Sequence, residues 1–242
     1  MSYWNENIEP EYVIPNNVLD IGFKMSRTEI PVDNVWQLSS VIHKLLPWFS
    51  NTKFCGVHPV YGAGSANGWE RPGNSEKLYL SARTRLLLRI PREYISHTKE
   101  VLEDRRLECQ SFSVQLGKVA EKPLYPHETL YCRNLLCSEN ISEDEFITNC
   151  VLQLSELGIK PQKLICGLPS QIKKSDGMQF CRSLLIADLS REESIRLQHH
   201  GLGELRIFGF GLFVPYKSIA PVFTNSNSVM TINPNTNKSF NI

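Results

Sequence analysis

Residues 190–215, SREESIRLQHHGLGELRIFGFGLFVP, carry a helix start, a helix stop and a glycine-rich stretch in one unbroken run, which leaves this part of the chain few ways to fold. Ser190 and Glu193 form an S-x-x-E capping box, in which hydroxyl and carboxylate satisfy each other's backbone amides, so a helix begins there. Gly201 follows His200 and can take the left-handed conformation that ends the helix. Gly201, Gly203, Gly209 and Gly211 then punctuate the chain, with Arg206 between the pairs and a strand expected over 205–214. Two readings are open. Glycines let a backbone approach a ligand closely, and an arginine among them suits an anion. Equally, the stretch is a tight turn followed by a glycine-kinked buried strand.

Helix and strand signals recur in two similar halves. In the first, VLDIGF within 17–27 is a short strand, and Asp33 is placed to cap a helix from Asn34 to about Leu46, stopped by Pro47. Residues 57–60 and 78–90 are expected strands, Pro91 opens a short helix to Leu102, and 109–119 returns as a strand. In the second half, 130–137 is a strand, and Ser142 with Glu145 forms another capping box. Phe146, Cys150, Leu154 and Leu157 follow at helical spacing until Gly158. Strands at 164–166 and 178–189 flank the polar loop QIKKSDG. Strand–helix–strand–strand–helix–strand, twice, predicts an α+β fold of two tandem ferredoxin-like (βαββαβ) domains. Their expected limits are 1–122 and 123–216, the second carrying the glycine-rich loop. Residues 217–242, rich in Asn, Ser and Thr, are expected to be a mobile tail.

The first helix carries a clue to chemistry. Val35, Leu38, Ile42, Leu45 and Leu46 cluster as its apolar face, and His43 lies about 120° from the centre of that face, with Trp36, Ser39 and Ser40 beside it. His43 is therefore expected off the core, as a proton-transfer group or as a surface histidine. His58, in GVHPV, precedes a glycine-rich loop over 61–77 and either orders the turn before Pro59 or faces the same site. His199 and His200 stand before the glycine stretch, where they touch phosphate or cap helix carbonyls. Arg83, Arg85 and Arg89 alternate with Thr84, Leu86, Leu88 and Ile90, so period two sends the arginines to one side of a strand. Three such cations make a phosphate track or a solvated face. Lys173 and Lys174 lie in the hairpin-like loop.

Net charge is only +1, so any nucleic-acid binding must come from local clustering rather than bulk charge. The seven cysteines include no C-x-x-C pair, which speaks against a zinc site and for reduced thiols in a cytoplasm. No apolar run approaches the roughly 20 residues of a membrane span.

Three stretches together resemble a known family. They are Ser194, Leu197, Gln198, Gly201, Leu202, Gly203, Gly209, Gly211, Phe213, Val214 and Pro215; IPVDNVWQLSSVIHKLLPW at 30–48; and GVHPVYG at 56–62 with LYLSARTRLLLRIP at 78–91. In this order they resemble the repeat-associated RNA-binding superfamily of CRISPR systems, and within it the crRNA-maturation endoribonucleases, the Cas6 family, of the myxan-type subgroup. The resemblance implies a metal-independent, cofactor-free cut in CRISPR repeat RNA by 2′-hydroxyl attack. Its implied partners are a repeat stem-loop, the mature crRNA and subunits of a Cascade-like effector, with no membrane. It implies catalysis by a histidine on the first helix, which makes His43, flanked by Ser39, the leading candidate and His58 the second. Many members of the subgroup carry a histidine nearer the start of this helix, where this chain has Asn34. By the same resemblance Arg83, Arg85, Arg89, Lys173, Lys174, His199, His200, Arg206 and the four glycines are RNA contacts. A non-catalytic RNA-binding subunit of a CRISPR effector is the alternative.

Overall fold

The computed structural model describes residues 12–62, 77–174 and 176–216. The expected tail over 217–242, and most of the loop over 61–77, lie outside the described residues.

The first strand, β1 (Val18–Met25), is buried on both sides except at Lys24. Leu19, Ile21, Phe23 and Met25 enter the main apolar core, which leaves Asp20, Gly22 and Lys24 on the opposite side. After β2 (Glu29–Pro31) comes α1 (Val35–Leu45), which buries Val35, Leu38 and Ile42. Next are β3 (Gly56–Val57), β4 (Lys77–Tyr79), β5 (Arg85–Pro91), α2 (Ile95–Leu102), β6 (Arg106–Glu108) and β7 (Ser113–Pro123). The main sheet runs β3-β5-β1-β7-β6, while β2 and β4 form a separate ribbon. In the second half β8 (Leu130–Leu136), α3 (Glu143–Glu156), β9 (Lys163–Cys166), β10 (Ser170–Lys174), β11 (Gly177–Ala187), α4 (Arg191–His200) and β12 (Val214–Pro215) follow. Here β11 and β8 are central, β12 flanks β8, and β9 and β10 both pair with β11. Each half thus places its four principal strands in the order second, third, first, fourth, the ferredoxin-like arrangement. No helix among the described residues is long and apolar enough to cross a membrane.

Local rules account for most elements. Both capping boxes form: Ser142 Oγ accepts from the Glu145 amide at 3.2 Å, and Ser190 Oγ accepts from the Glu193 amide at 3.2 Å. Three expectations are corrected. The stretch 78–90 is not one strand, because a turn intervenes in which the Thr84 amide donates to the Ser81 carbonyl at 3.0 Å. The stretch 205–214 is not a strand either. Leu205, Gly209 and Gly211 all have positive φ (61°, 85° and 63°), which a pleated strand does not accommodate. The chain instead makes a 3-10 turn over Arg206–Phe208 and pairs only at β12. Asp33 also departs from its expected role. It is not the cap of α1, and its carboxylate accepts the Lys173 amide from β10 at 3.0 Å.

The halves are joined internally. Ile172, Cys181 and Phe210 of the second half lie in the first half's core. On the other side of the first sheet, Arg89 is fully buried, its Nε and Nη2 donating to Asp20 at 2.8 and 3.1 Å. Its Nη1 crosses to the second half, donating to the Gln198 carbonyl at 2.7 Å and the Phe213 carbonyl at 3.0 Å. Burial alone would raise the Asp20 carboxyl, but the adjacent Arg89 and His58 override it and hold the group well below the ordinary carboxylate range.

Arg89→Met leaves Asp20 with only the His58 ring for a partner and removes the buried donor from two carbonyls. It should lower unfolding stability by about 3–5 kcal/mol in urea titrations at neutral pH. A loss below about 1 kcal/mol would show that the pair does not hold the halves together. In the wild-type protein, a folded-state value depressed for Asp20 means that its stabilisation is complete above the ordinary carboxylate range. It should fade as pH falls through that range towards the folded value.

Candidate functional site

The outer flank of α1 gathers side chains from both halves. His43 is half-buried there, its ring 5.7 Å from Phe49 and edge-on to Phe208 at 5.1 Å between centroids. Its Nε2 is buried and has no hydrogen-bond partner among the described residues. Burial lowers the His43 pKa, opposed by a backbone hydrogen bond with Ile207, so the ring is neutral at neutral pH and suited to accept a proton. Two turns back on the helix, Trp36 stacks on Phe208 at 4.5 Å, and the Lys174 ammonium lies 5.6 Å over the indole. Lys174 also pairs with Asp176 at 3.2 Å, and the Lys173 side chain is exposed. The β10–β11 hairpin therefore arches over the first turn of α1.

Ser39 does not share this flank. It is fully buried, because it lies only about 40° around the helix from Val35 and joins the apolar stripe. His58 is also displaced from the expected site. Its Nε2 lies 3.2 Å from Asp20 Oδ1, and burial lowers its pKa against the pull of that carboxylate. It completes the Asp20–Arg89 cluster and presents little surface to a substrate. Asn34, in the histidine position of the resembling subgroup, is buried, donating to the Val60 carbonyl at 2.8 Å and accepting its amide at 3.0 Å. It fastens the segment after β3 to the start of α1.

The expected arginine track is broken. Arg83 sits in the turn before β5 and Arg85 is exposed at its start, whereas Arg89 is the buried clamp. Pairing strands supply cations that inspection of one strand missed. Lys24 stands opposite Arg85 in register, and exposed Lys122 stands opposite Asp20. The D-x-G-x-K alternation of β1 carried that signal.

The glycine stretch is folded mainly upon itself. Gly201, Gly209 and Gly211 are buried with positive φ. A Cβ on Gly211 would collide with the Leu202 carbonyl, and one on Gly209 would press into Val35 and Pro59. Close approach is needed here, but by the protein's own backbone and by α1. Arg206 spends its charge on the end of α4, donating from Nη1 to the His199 and His200 carbonyls at 2.5 and 2.6 Å. Burial, aided by Arg89, lowers its pKa to about 9. His199 is buried beside Phe54 and pushed down to about 4 by burial and nearby cations, while His200 is exposed. Of the four glycines only Gly203 is exposed, and its amide donates to Gln153 Oε1 at 2.8 Å. The sequence reading missed the aromatic members of the site, Trp36 as a stacking ring and Phe208, because their apposition depends on the turn over Arg206–Phe208.

Comparisons with known proteins agree with this architecture. A family model described as Cas6 Crispr matches residues 19–218. The CRISPR-associated endonuclease Cas6 of Myxococcus xanthus (strain DK1622) is 26% identical over 197 residues, covering 81% of each chain. A solved CRISPR associated protein Cas6 aligns with a TM-score of 0.57 at 15% identity, over 83% of this chain and 100% of that one. The product of a Cas6-related gene from Pyrococcus furiosus aligns with a TM-score of 0.54 at 13% identity, over 81% of this chain and 98% of that one. At these identities the two structures establish a shared fold.

The packing of the glycine stretch separates two substitutions. Gly211→Ala, at φ 63° and against a carbonyl, should lose more than about 2 kcal/mol of stability and melt early. Gly203→Ala, at φ 68° with its nearest neighbour 3.5 Å away, should lose only about 1 kcal/mol. Equal melting temperatures for the two variants would contradict the buried packing of Gly211.

Proposed function

This chain belongs to the Cas6 family, and from that premise we propose that it is a metal-independent endoribonuclease cutting CRISPR repeat RNA to mature crRNA. The observation that carries the reading is the match over 19–218 joined to a half-buried histidine on the flank of α1, whose buried Nε2 has no hydrogen-bond partner among the described residues. In the proposed reaction a ribose 2′-oxygen attacks the adjacent phosphorus as the bond to the 5′-oxygen breaks. A 2′,3′-cyclic phosphate and a 5′-hydroxyl result. His43, held neutral by burial, accepts the proton of the attacking hydroxyl, and the departing 5′-oxygen takes its proton from water. Lys173 and Lys174, on the hairpin over α1, are proposed to offset phosphate charge. Most of the remaining acceleration is assigned to the protein holding the folded repeat with the 2′-oxygen in line.

The two ferredoxin-like domains, taken as 1–122 and 123–216, are proposed to grip the RNA jointly. Exposed Arg83, Arg85 and His200 and the backbone at Gly203 are the proposed additional contacts. Double-stranded RNA presents mainly shape, phosphates and 2′-hydroxyls, so dispersed cations suffice despite a net charge of +1. Retention of the crRNA and delivery to effector subunits belong to the same proposal, as does a reducing cytoplasm, in which all seven cysteines stay thiols.

The test uses a CRISPR repeat RNA from the source genome, with EDTA present. Cleavage to a cyclic-phosphate end is expected. His43→Ala should cut about 100-fold more slowly while binding the repeat almost unchanged. Wild-type protein that binds the repeat and leaves it intact would identify a non-catalytic subunit instead. A base with lowered pKa is protonated only at more acid pH, so the rate should begin to fall at a pH below the ordinary histidine value.

The arginine contacts have a separate signature. Replacing Arg83 and Arg85 by Ala should weaken repeat binding and flatten its log–log salt dependence by roughly 0.7–0.9 for each phosphate that is no longer neutralised. An unchanged slope in filter-binding titrations from low to high salt would remove both from the interface.

A further inference from the structure

The geometry points to a stacking site for one unpaired nucleobase, built from Trp36 and Phe208 and closed by Lys174, next to His43. This rests on the reading of the chain as a repeat-RNA endoribonuclease and names how that RNA is seated. Trp36 and Phe208 stack at 4.5 Å with 29° between their planes, and both are half-buried, so part of each ring stays open to solvent. The pair is held rigidly from below. Phe210, fully buried, abuts Trp36 at 5.9 Å, and Phe208 precedes Gly209, whose missing Cβ lets the turn settle against Val35 of α1. A rigid ring presented to the surface loses little entropy when a base stacks on it.

The cation over the indole marks the ligand's character. Lys174 Nζ lies 5.6 Å from the Trp36 ring and is also within 3.2 Å of Asp176. A cation–π contact at this half-buried ring is no stronger than the stacking of a nucleobase on it, so a base can displace the ammonium. Displaced, Lys174 remains close enough to meet the phosphate that the base carries. Every base has a π-face, so the site selects for an unpaired nucleotide before it selects for sequence. His43 meets the edge of Phe208 at 5.1 Å, which places the seated base beside the phosphate where His43 acts.

The test is an abasic scan of the unpaired repeat nucleotides, reading Kd for wild-type protein, Trp36→Ala and Trp36→Phe. At one position the abasic RNA should bind wild-type protein about tenfold more weakly, the usual size of one stacked base. At that position Trp36→Ala should bind intact and abasic RNA equally weakly, and Trp36→Phe should keep the discrimination. 2-Aminopurine placed there should be quenched by the unaltered protein, a readout that stands even if Trp36→Ala melts. The inference is overturned if Trp36→Ala discriminates at every position as wild type does, or if no unpaired 2-aminopurine is quenched. Wild-type protein that binds and cuts the repeat in those same experiments confines the failure to the stacking site. Protein that neither binds nor cuts it overturns the stacking site together with the proposed function.

Discussion

The buried Asp20–Arg89 pair determines how the two halves meet. Removing two charges from water costs several kcal/mol each unless every polar atom finds a partner. Here the carboxylate takes two guanidinium donors at 2.8 and 3.1 Å plus the His58 ring at 3.2 Å, and the remaining Arg89 donor reaches carbonyls of the second half. The first sheet's outer side could not be covered by apolar residues alone without stranding this pair. The end of α4 and the residues before β12 must therefore sit where their carbonyls complete it. That requirement sets the position of the glycine stretch, which connects those two segments.

Because its path is constrained at both ends, the stretch between Gly201 and Phe213 folds by left-handed turns. Gly211 tucks under Leu202, Gly209 under α1, and Arg206 closes the end of α4. What this tightly packed segment presents outward is Phe208 towards α1 and the exposed backbone at Gly203. Its contribution to a binding surface is the precise placement of those few groups, with most of the glycines serving the interior.

Features determined within a few residues were legible in the sequence. Both capping boxes, the glycine stop after His200 and the doubled βαββαβ order follow from local hydrogen bonding and periodicity, and each matches the structure. Features that depend on distant segments were not. Period two put Arg83, Arg85 and Arg89 on one side, but it cannot tell that the second half covers that side at Arg89 and leaves Arg85 open. Ser39 looks polar on a helical wheel, yet its angle falls within the stripe that the core covers. The stretch 205–214 has a strand's composition, and only the need to thread between α4 and β12 imposes three positive φ values. Helical geometry alone puts His43 off the apolar face, while the rings that surround it come from Phe49 and a turn about 160 residues away in sequence.

Phe210, Ile172 and Cys181 have a bearing on inheritance. Tandem copies of one fold suggest units that can be duplicated, exchanged or lost separately. In this chain the later copy supplies side chains to the earlier copy's interior. A frameshift or deletion that removed the last forty described residues would leave the first half with an open core and an Arg89 Nη1 without its carbonyl partners. Each half therefore changes under the constraint of the other, and recombination between relatives is tolerated only where these three side chains and their pockets travel together.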